Sequence, residues 1–373
     1  QAEIYYTLDG SNPTRLSIPY VSPIQLDSTK VVRSRIFETG KIPSEIVTQT
    51  FFVNDFRTLP MISLSIDPYY LYDDYIGIFV EGLNGIEKNC SVGPRNWNQD
   101  WERPVSVEMY EPDGTQDFQF NAGIKIFGGC SRQRDQKSFA IYLRKQYGEN
   151  EFHYQLFPDK PITEYSSFIL RNSGNDNNST MFRDALMQRI IRDEMDVDTM
   201  AYRPGIVYVN GIYWGLYNIR EKVNESYLEG NHGVDPANID MLQKDKNVIV
   251  GNAVAYSELI SFVSKNDLSL YENYELVKTK IDVDEFINYM IAEIYCGNWD
   301  WPANNLKYWR PRTENGKWRW IFYDADYGLY HREDGLAVNT LDLATAVDGG
   351  EKNPPWSTFL FRSLLMNQEF RET

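Results

Sequence analysis

An α+β fold, carrying a small N-terminal β-sandwich module, is what this 373-residue sequence predicts. Three patterns predict it. Short β-branched and aromatic runs dominate up to about residue 209, and helical spacing of apolar side chains prevails from about residue 253. Two Asn-Gly pairs, Asn210-Gly211 and Asn315-Gly316, sit between strand-like runs as hairpin turns. The apolar fraction of 42% is enough to fill cores in a chain with length for two or three domains.

Residues 1–54 read as the sandwich module. Ile4-Tyr5-Tyr6-Thr7 closes on the turn Asp9-Gly10-Ser11-Asn12-Pro13, and the runs Val31 to Phe37 and Ile46 to Phe52 follow, separated by polar and Gly/Pro breaks. Residues 55–373 form the second domain, with a β-rich lobe over about 60–220 and a mainly helical lobe over 221–373. MISLSI, GIFV, PVSVEMYE, GIKIFGG, SFAIYL, SFILRN and GIVYVN read as strands. One helix interrupts them, Thr180 to Glu194, with Phe182, Leu186, Ile190 and Ile191 at helical spacing. Helices then follow at ISFVSKN, ENYELVKTKI and VDEFINYMIAEIY, and the hairpin KYWRPRTENGKWRWIFYDAD turns at Asn315-Gly316. Clefts between two such lobes are common ligand sites.

Composition excludes several classes. The formal charge of −16 argues against a nucleic-acid partner, which needs clustered Lys and Arg. No run approaches the roughly 20 apolar residues of a membrane span. The chain starts at Gln1 and stops in the helical pattern FLFRSLLMNQEFRET, so it reads as a piece of a longer protein. Cys90, Cys130 and Cys296 contain no C-x-x-C pair, which leaves room for one disulfide and disfavours zinc, and Cys296 reads as a buried thiol. His153, His232 and His331 are scattered, so acid–base chemistry must rest on carboxylates.

Two segments carry the chemistry. Gly297-Asn298-Trp299-Asp300-Trp301-Pro302-Ala303-Asn304-Asn305 contains D-x-x-x-x-N, the spacing by which a kinase catalytic loop places a base and a metal-binding amide. About twenty residues on, Trp318, Trp320 and Phe322 alternate as a half-buried strand. That strand would put Asp324 and Asp326 on its apolar face, where two carboxylates need a cation or donors to coexist. Asn305, Asp324 and Asp326 are the metal candidates, and Mg²⁺ prefers such oxygen ligands. The bland alternative is a polar helix–strand turn followed by solvated aspartates. Gly128-Gly129 opens a loop whose N–H groups, with Arg132, could meet an anion. Lys137 stands at the head of K-S-F-A-I-Y-L, where it could contact phosphate or snorkel to solvent. Asp184 could orient it, or simply complement the dipole of its own helix. Glu221 ends the run leading to the helical lobe, a place for adenine contacts or for an exposed edge-strand acid.

Ile4 to Thr14 resembles the I-Y-Y-T-x-D-G-S-x-P-T hallmark of the chitobiase/β-hexosaminidase C-terminal type of Ig-like module, an accessory domain of secreted or surface proteins. Residues 60 to 373 resemble the CotH family of spore coat protein H kinases. The resemblance rests on QKSFAIYLRKQYG, FILRN with FRDAL, VYVNGIYWGLYNIREKVNESYL, and above all GNWDWPANNLKYW with KWRWIFYDADYG. It implies an atypical protein-kinase-like two-lobed fold and an ATP- and Mg²⁺-dependent (or Mn²⁺-dependent) kinase acting on protein Ser or Thr at the cell surface or outside it. Asp300 then matches the catalytic acid position, Asn305 the amide, Asp324 the metal aspartate with Asp326 a second acid, and Lys137 the lysine before the S-[FY]-x-I strand. Ile212 replaces the usual Glu after N-G, and the loop before Lys137 lacks G-x-G-x-x-G, so triphosphate contacts cannot be carried over from ordinary kinases. A secreted or surface scaffold with a silent, nucleotide-binding pseudokinase domain is the alternative. A carbohydrate-active enzyme using Asp300 and a later Asp is a third reading, which leaves Lys137 and Asn305 without a role.

Overall fold

The computed structural model describes residues 2–55, 57–88, 90–329, 331 and 337–373. The chain folds into two compact units, Gln1–Gly174 with Tyr202–Lys222 and Asn175–Ala201 with Val223–Thr373.

The first unit begins with Ala2–Thr7 (β1), Ile18–Pro19 (β2), Lys30–Glu38 (β3) and Val47–Phe51 (β4). They form one antiparallel sheet in the order β2-β1-β3-β4. The predicted sandwich is therefore a single sheet. Its buried face (Val31, Arg33, Thr48, Thr50) takes its second layer from the strands that follow, because a half-buried sheet needs a partner layer of some kind. The joint is polar. Glu108, fully buried, accepts from the Thr50 N–H (3.0 Å), the Thr50 hydroxyl (2.5 Å) and the Tyr110 hydroxyl (2.8 Å). The Thr50 hydroxyl oxygen in turn accepts from the Ser63 hydroxyl (2.8 Å).

Met61–Ser65 (β5), Pro68–Tyr72 (α1), Arg103–Tyr110 (β6), Gln116–Phe127 (β7) and Ser138–Tyr142 (β8) come next. A short ribbon follows, Phe152–His153 (β9) with Glu164–Tyr165 (β10), and then Ser167–Arg171 (β11). After an excursion into the second unit that includes Arg183–Glu194 (α2) and Asp198–Thr199 (β12), the chain returns as Tyr202–Val209 (β13) and Ile212–Glu221 (β14). Seven strands close into a barrel ordered β11-β14-β13-β5-β6-β7-β8, with β5 and β13 parallel. Asn210 and Gly211 turn the β13–β14 hairpin at φ 52° and 78°, the left-handed pair that a two-residue turn matching strand twist requires. GIFV is not a strand. The Ile78 and Phe79 N–H groups donate back to Tyr70 and Leu71 (3.0 and 2.9 Å), making a turn beside α1. Cys90 and Cys130 are disulfide-bonded, Cα–Cα 5.2 Å, tying the segment before β6 to the 3₁₀ turn Cys130–Gln133.

The second unit contains Glu225–His232 (α3), Ile239–Gln243 (β15), Asn247–Val250 (β16), Val254–Lys265 (α4), Tyr271–Lys278 (α5), Val283–Cys296 (α6), Lys307–Pro311 (β17), Arg319–Phe322 (β18), Thr340–Thr345 (α7), Phe359–Leu364 (α8) and Gln368–Glu372 (α9). Its sheet runs β12-β18-β17-β15-β16. Helix α6 lies on β18 by burying Glu285, Phe286, Tyr289, Met290, Glu293 and Cys296, a stripe at helical spacing. Trp318 and Trp320 fill the core beneath it. The β17–β18 hairpin pairs only Tyr308 with Trp320 and Trp309 with Arg319, so Asn315-Gly316 lies within a longer loop and not at a two-residue turn.

Helix α2 departs from expectation. Phe182, Leu186 and Ile190 are exposed, and the buried face is Asp184, Ala185, Met187, Gln188 and Ile191. Polar side chains are drawn inward because backbone N–H groups need them: Gln188 Oε1 accepts from Met200 (2.7 Å) and Asp184 Oδ1 from Ala325 (2.8 Å).

Candidate functional site

The second unit assembles its acidic cluster at the end of α6. Gly297 adopts φ 57°, ψ 44°, a left-handed cap that stops the helix and turns the chain into the Asp300 loop. The loop is held on three sides. Trp301, buried, donates from Nε1 to the Tyr289 hydroxyl of α6 (3.0 Å). The Asn304 N–H donates to the Asp300 carbonyl (2.9 Å), and the Ala303 N–H to the Lys352 carbonyl (3.2 Å). Lys352 Nζ in turn donates to the Trp299 carbonyl (3.2 Å) and lies 4.9 Å from the Trp299 ring centroid.

Asn305 and Asp324 meet where the loop closes: Asn305 Nδ2 donates to the Asp324 carbonyl (2.9 Å). Both residues have positive φ, 53° and 58°. Asn and Asp tolerate this region best among residues with a Cβ, and such conformations concentrate at functional sites. The predicted sharing of one strand face by Asp324 and Asp326 does not occur. β18 ends at Phe322, and left-handed Asp324 turns the chain so that the two aspartates diverge. Asp324 is half-buried, whereas Asp326 is 2% exposed and accepts from the Asn175 N–H (Oδ2, 3.0 Å) and from Asn175 Nδ2 (Oδ1, 3.1 Å). Asp326 thus buttresses the turn. Asp184 does the same from α2, its Oδ1 accepting from Ala325 N–H and from Gln188 Nε2 (2.8 Å).

Electrostatics couples these carboxylates. Burial and the neighbouring Asp324 charge push the Asp300 carboxyl above its ordinary range, while Lys352 and Lys244 pull it back. Glu293 of α6 escaped the sequence reading although it shares the apolar face of α6, where an acid is itself a signal. It is fully buried and accepts from Asn298 Nδ2 at Oε2 (3.0 Å), and among the described residues Glu293 Oε1 and Asn298 Oδ1 have no hydrogen-bond partner. Burial, Asp184 and Asp324 all push its carboxyl well above the ordinary range.

The first unit holds the remaining candidates. Lys137 is buried. Its ammonium donates to the Arg132 and Arg134 carbonyls (2.9 Å each) and sits 4.0 Å from the Trp97 ring centroid, so it does not snorkel. Burial lowers its pKa to about 8. Arg132 donates to the Gly128 (2.6 Å) and Trp97 (2.9 Å) carbonyls. Both cations therefore staple the Gly128–Arg134 loop. Glu221 is no exposed edge acid: it is 3% exposed and ion-paired to Lys160 at 2.6 Å, a lysine that no motif singled out.

Among the described residues, no three His, Cys, Asp or Glu side chains converge as a metal-holding set. Mg²⁺ does not require one, since it is commonly held by one or two carboxylates together with water and substrate phosphate. Asp324, the Asn305 amide oxygen and Asp300 are hard oxygen donors gathered on one closed loop and turn, and they fit that mode.

These features define an α+β protein whose helical unit presents a buttressed acid–amide–acid cluster. The chain belongs to the CotH kinase protein family, which matches residues 124–373. Residues 1–51 match the module described as Fn3 associated. No curated protein matches the chain.

Proposed function

We propose that this protein is an atypical kinase, transferring the γ-phosphoryl group of ATP to a Ser or Thr hydroxyl of a protein with Mg²⁺ or Mn²⁺, on a two-lobed kinase-like fold. The observation that carries the reading is the closure of the Asp300–Asn305 loop on Asp324 through the Asn305 amide. Asp300, its basicity raised by burial and by Asp324, takes up the acceptor hydroxyl proton and orients the oxygen. Asn305 and Asp324 would hold the metal, Asp326 and Asp184 hold the turn around Asp324, and Glu293 binds Asn298 at the start of the loop. A bound divalent ion would neutralise phosphate charge that the carboxylates would otherwise repel. Lys137 and Arg132 act by shaping the Gly128–Arg134 loop. The Cys90–Cys130 disulfide and the Fn3-associated module support a site of action outside the cytoplasm.

One observation favours a silent nucleotide-binding scaffold: Lys137 and Arg132 already donate to loop carbonyls. Thermal shift with Mg·ATP, followed by γ-phosphate transfer to a generic acceptor, separates the two. The kinase reading expects stabilisation by Mg·ATP and measurable transfer. It expects Asp300→Asn to bind nucleotide without transfer, and Asp324→Asn to lose the Mg·ATP stabilisation. Stabilisation without transfer selects the scaffold, and full transfer by Asp300→Asn removes the assignment.

A further inference from the structure

The first unit contains a cavity of about 340 Å³ between the N-terminal sheet and the barrel, whose lining plays no part in the proposed phosphoryl chemistry. It lies within the size range of small-molecule sites, roughly 300–1,000 Å³. Arg33 and Arg35, two residues apart on β3, bring their guanidiniums to the same face of that strand. Arg33 is 9% exposed and anchored by Nε to the Thr48 hydroxyl (3.3 Å) and by Nη1 to the Gly10 carbonyl (2.7 Å). Arg35 is anchored by Nε to the Ser44 carbonyl (2.7 Å). These bonds fix both planar groups, and the Arg35 guanidinium also lies 5.7 Å from the Phe37 ring centroid, while Nη2 of Arg33 and both Nη atoms of Arg35 make no hydrogen bond among the described residues. The lining also includes Tyr70, Tyr147, Asn121 and two carboxylates, Asp67 and Glu45, of which Asp67 acts electrostatically on Arg33. Asp67 caps α1, accepting from the Tyr69 N–H (3.0 Å), and accepts from the Asn12 N–H of the module (3.1 Å).

We propose that this cavity binds an acidic saccharide, a uronate sugar whose carboxylate faces the Arg33–Arg35 pair. A carboxylate is the anion that guanidinium donors match bidentately. The Asp67 and Glu45 carboxylates repel the dianion of phosphate more than a single carboxylate, and a sugar hydroxyl can donate to Asp67 and accept from Asn121. The rings of Tyr70 and Tyr147 suit a ligand with apolar faces and a polar edge. The site is independent of phosphoryl transfer and belongs to the junction that the Fn3-associated module makes with the barrel.

The test is calorimetric titration of the intact chain with trigalacturonate, a neutral trigalactoside, an acetylated tetra-aspartate peptide and inorganic phosphate. Trigalacturonate is expected to bind at least tenfold more tightly than each of the other three. Arg35→Gln, which leaves the Arg33 anchors intact, is expected to weaken uronate binding at least tenfold with an unchanged melting temperature. Asn121→Asp, which adds a negative charge without touching either arginine, is expected to weaken it as well. Absence of uronate binding, equal binding of the neutral sugar, peptide or phosphate, or undiminished binding by Arg35→Gln would each overturn the proposal.

Discussion

Asn305 and Asp324 show how much chemistry a pair of backbone angles can fix. Each is a non-glycine residue at positive φ, and the amide of one closes on the carbonyl of the other. Asn305→Gly keeps the conformation and removes the amide. It should fold with a melting temperature near that of the parent and, in the proposed kinase reading, need about 10–100-fold more Mg²⁺ for half-maximal activity, the range seen when groups around a metal are lost. Metal titration of phosphoryl transfer checks this. Glu293 gives a second prediction. Its folded-state pKa lies above the unfolded value of 4.5, so the stability of the neutral form is fully present below pH 4.5 and is lost as pH rises through the folded pKa. Glu293→Gln, neutral at every pH, should remove this residue's share of the decline in melting temperature above pH 4.5. Glu293→Ala should cost about 3 kcal/mol by leaving a cavity and the buried Asn298 amide unpaired. Asp300, Asn305 and Asp324 were legible as motif residues. Glu293 was overlooked although an acid on the apolar face of α6 is a readable signal; what the sequence hides is its coupling to Asp184 and Asp324, brought near only by folding.

Helix α2 separates what periodicity can and cannot tell. Residues 182, 186 and 190 form a valid apolar stripe, yet the buried face carries Asp184 and Gln188. The helix orientation is set by the backbone N–H groups of Met200 and Ala325, and no spacing rule encodes those partners. Ile190→Ser should change unfolding free energy by less than about 0.5 kcal/mol, whereas Ile191→Ala should cost about 2–4 kcal/mol. Chemical denaturation of both variants measures the contrast. The β13–β14 hairpin lies at the other extreme: Asn210-Gly211 was readable because the turn type depends on those two residues alone. Near the Gly128–Arg134 loop, Cys90 and Cys130 close a separation of 40 residues. Reducing that bond should lower stability by about 2–4 kcal/mol, seen as a drop in melting temperature with reductant.

For the whole molecule, the N-terminal module was recognisable from Ile4 to Thr14, but its dependence on the barrel was not, since Glu108 and Thr50 are joined only by folding. Burial raises the Glu108 pKa above 4.5, so its neutral form adds stability below pH 4.5 that fades as pH rises through the folded value. Removing residues 1–54 strips Glu108 and Tyr110 of these partners. The truncated chain should melt well below the parent, with the Glu108 contribution to its pH dependence gone. The threading of the barrel also bears on how the protein is made. β13 and β14 stand between β11 and β5 in the closed ring, yet they are the last barrel strands in the chain. On the ribosome, five strands must wait with two raw edges until residue 222 has emerged. During that interval α2 and β12 are already outside the exit tunnel. The nascent chain is then open to pairing with strangers, and a hairpin sealed at Asn210-Gly211 is the wedge that ends that exposure.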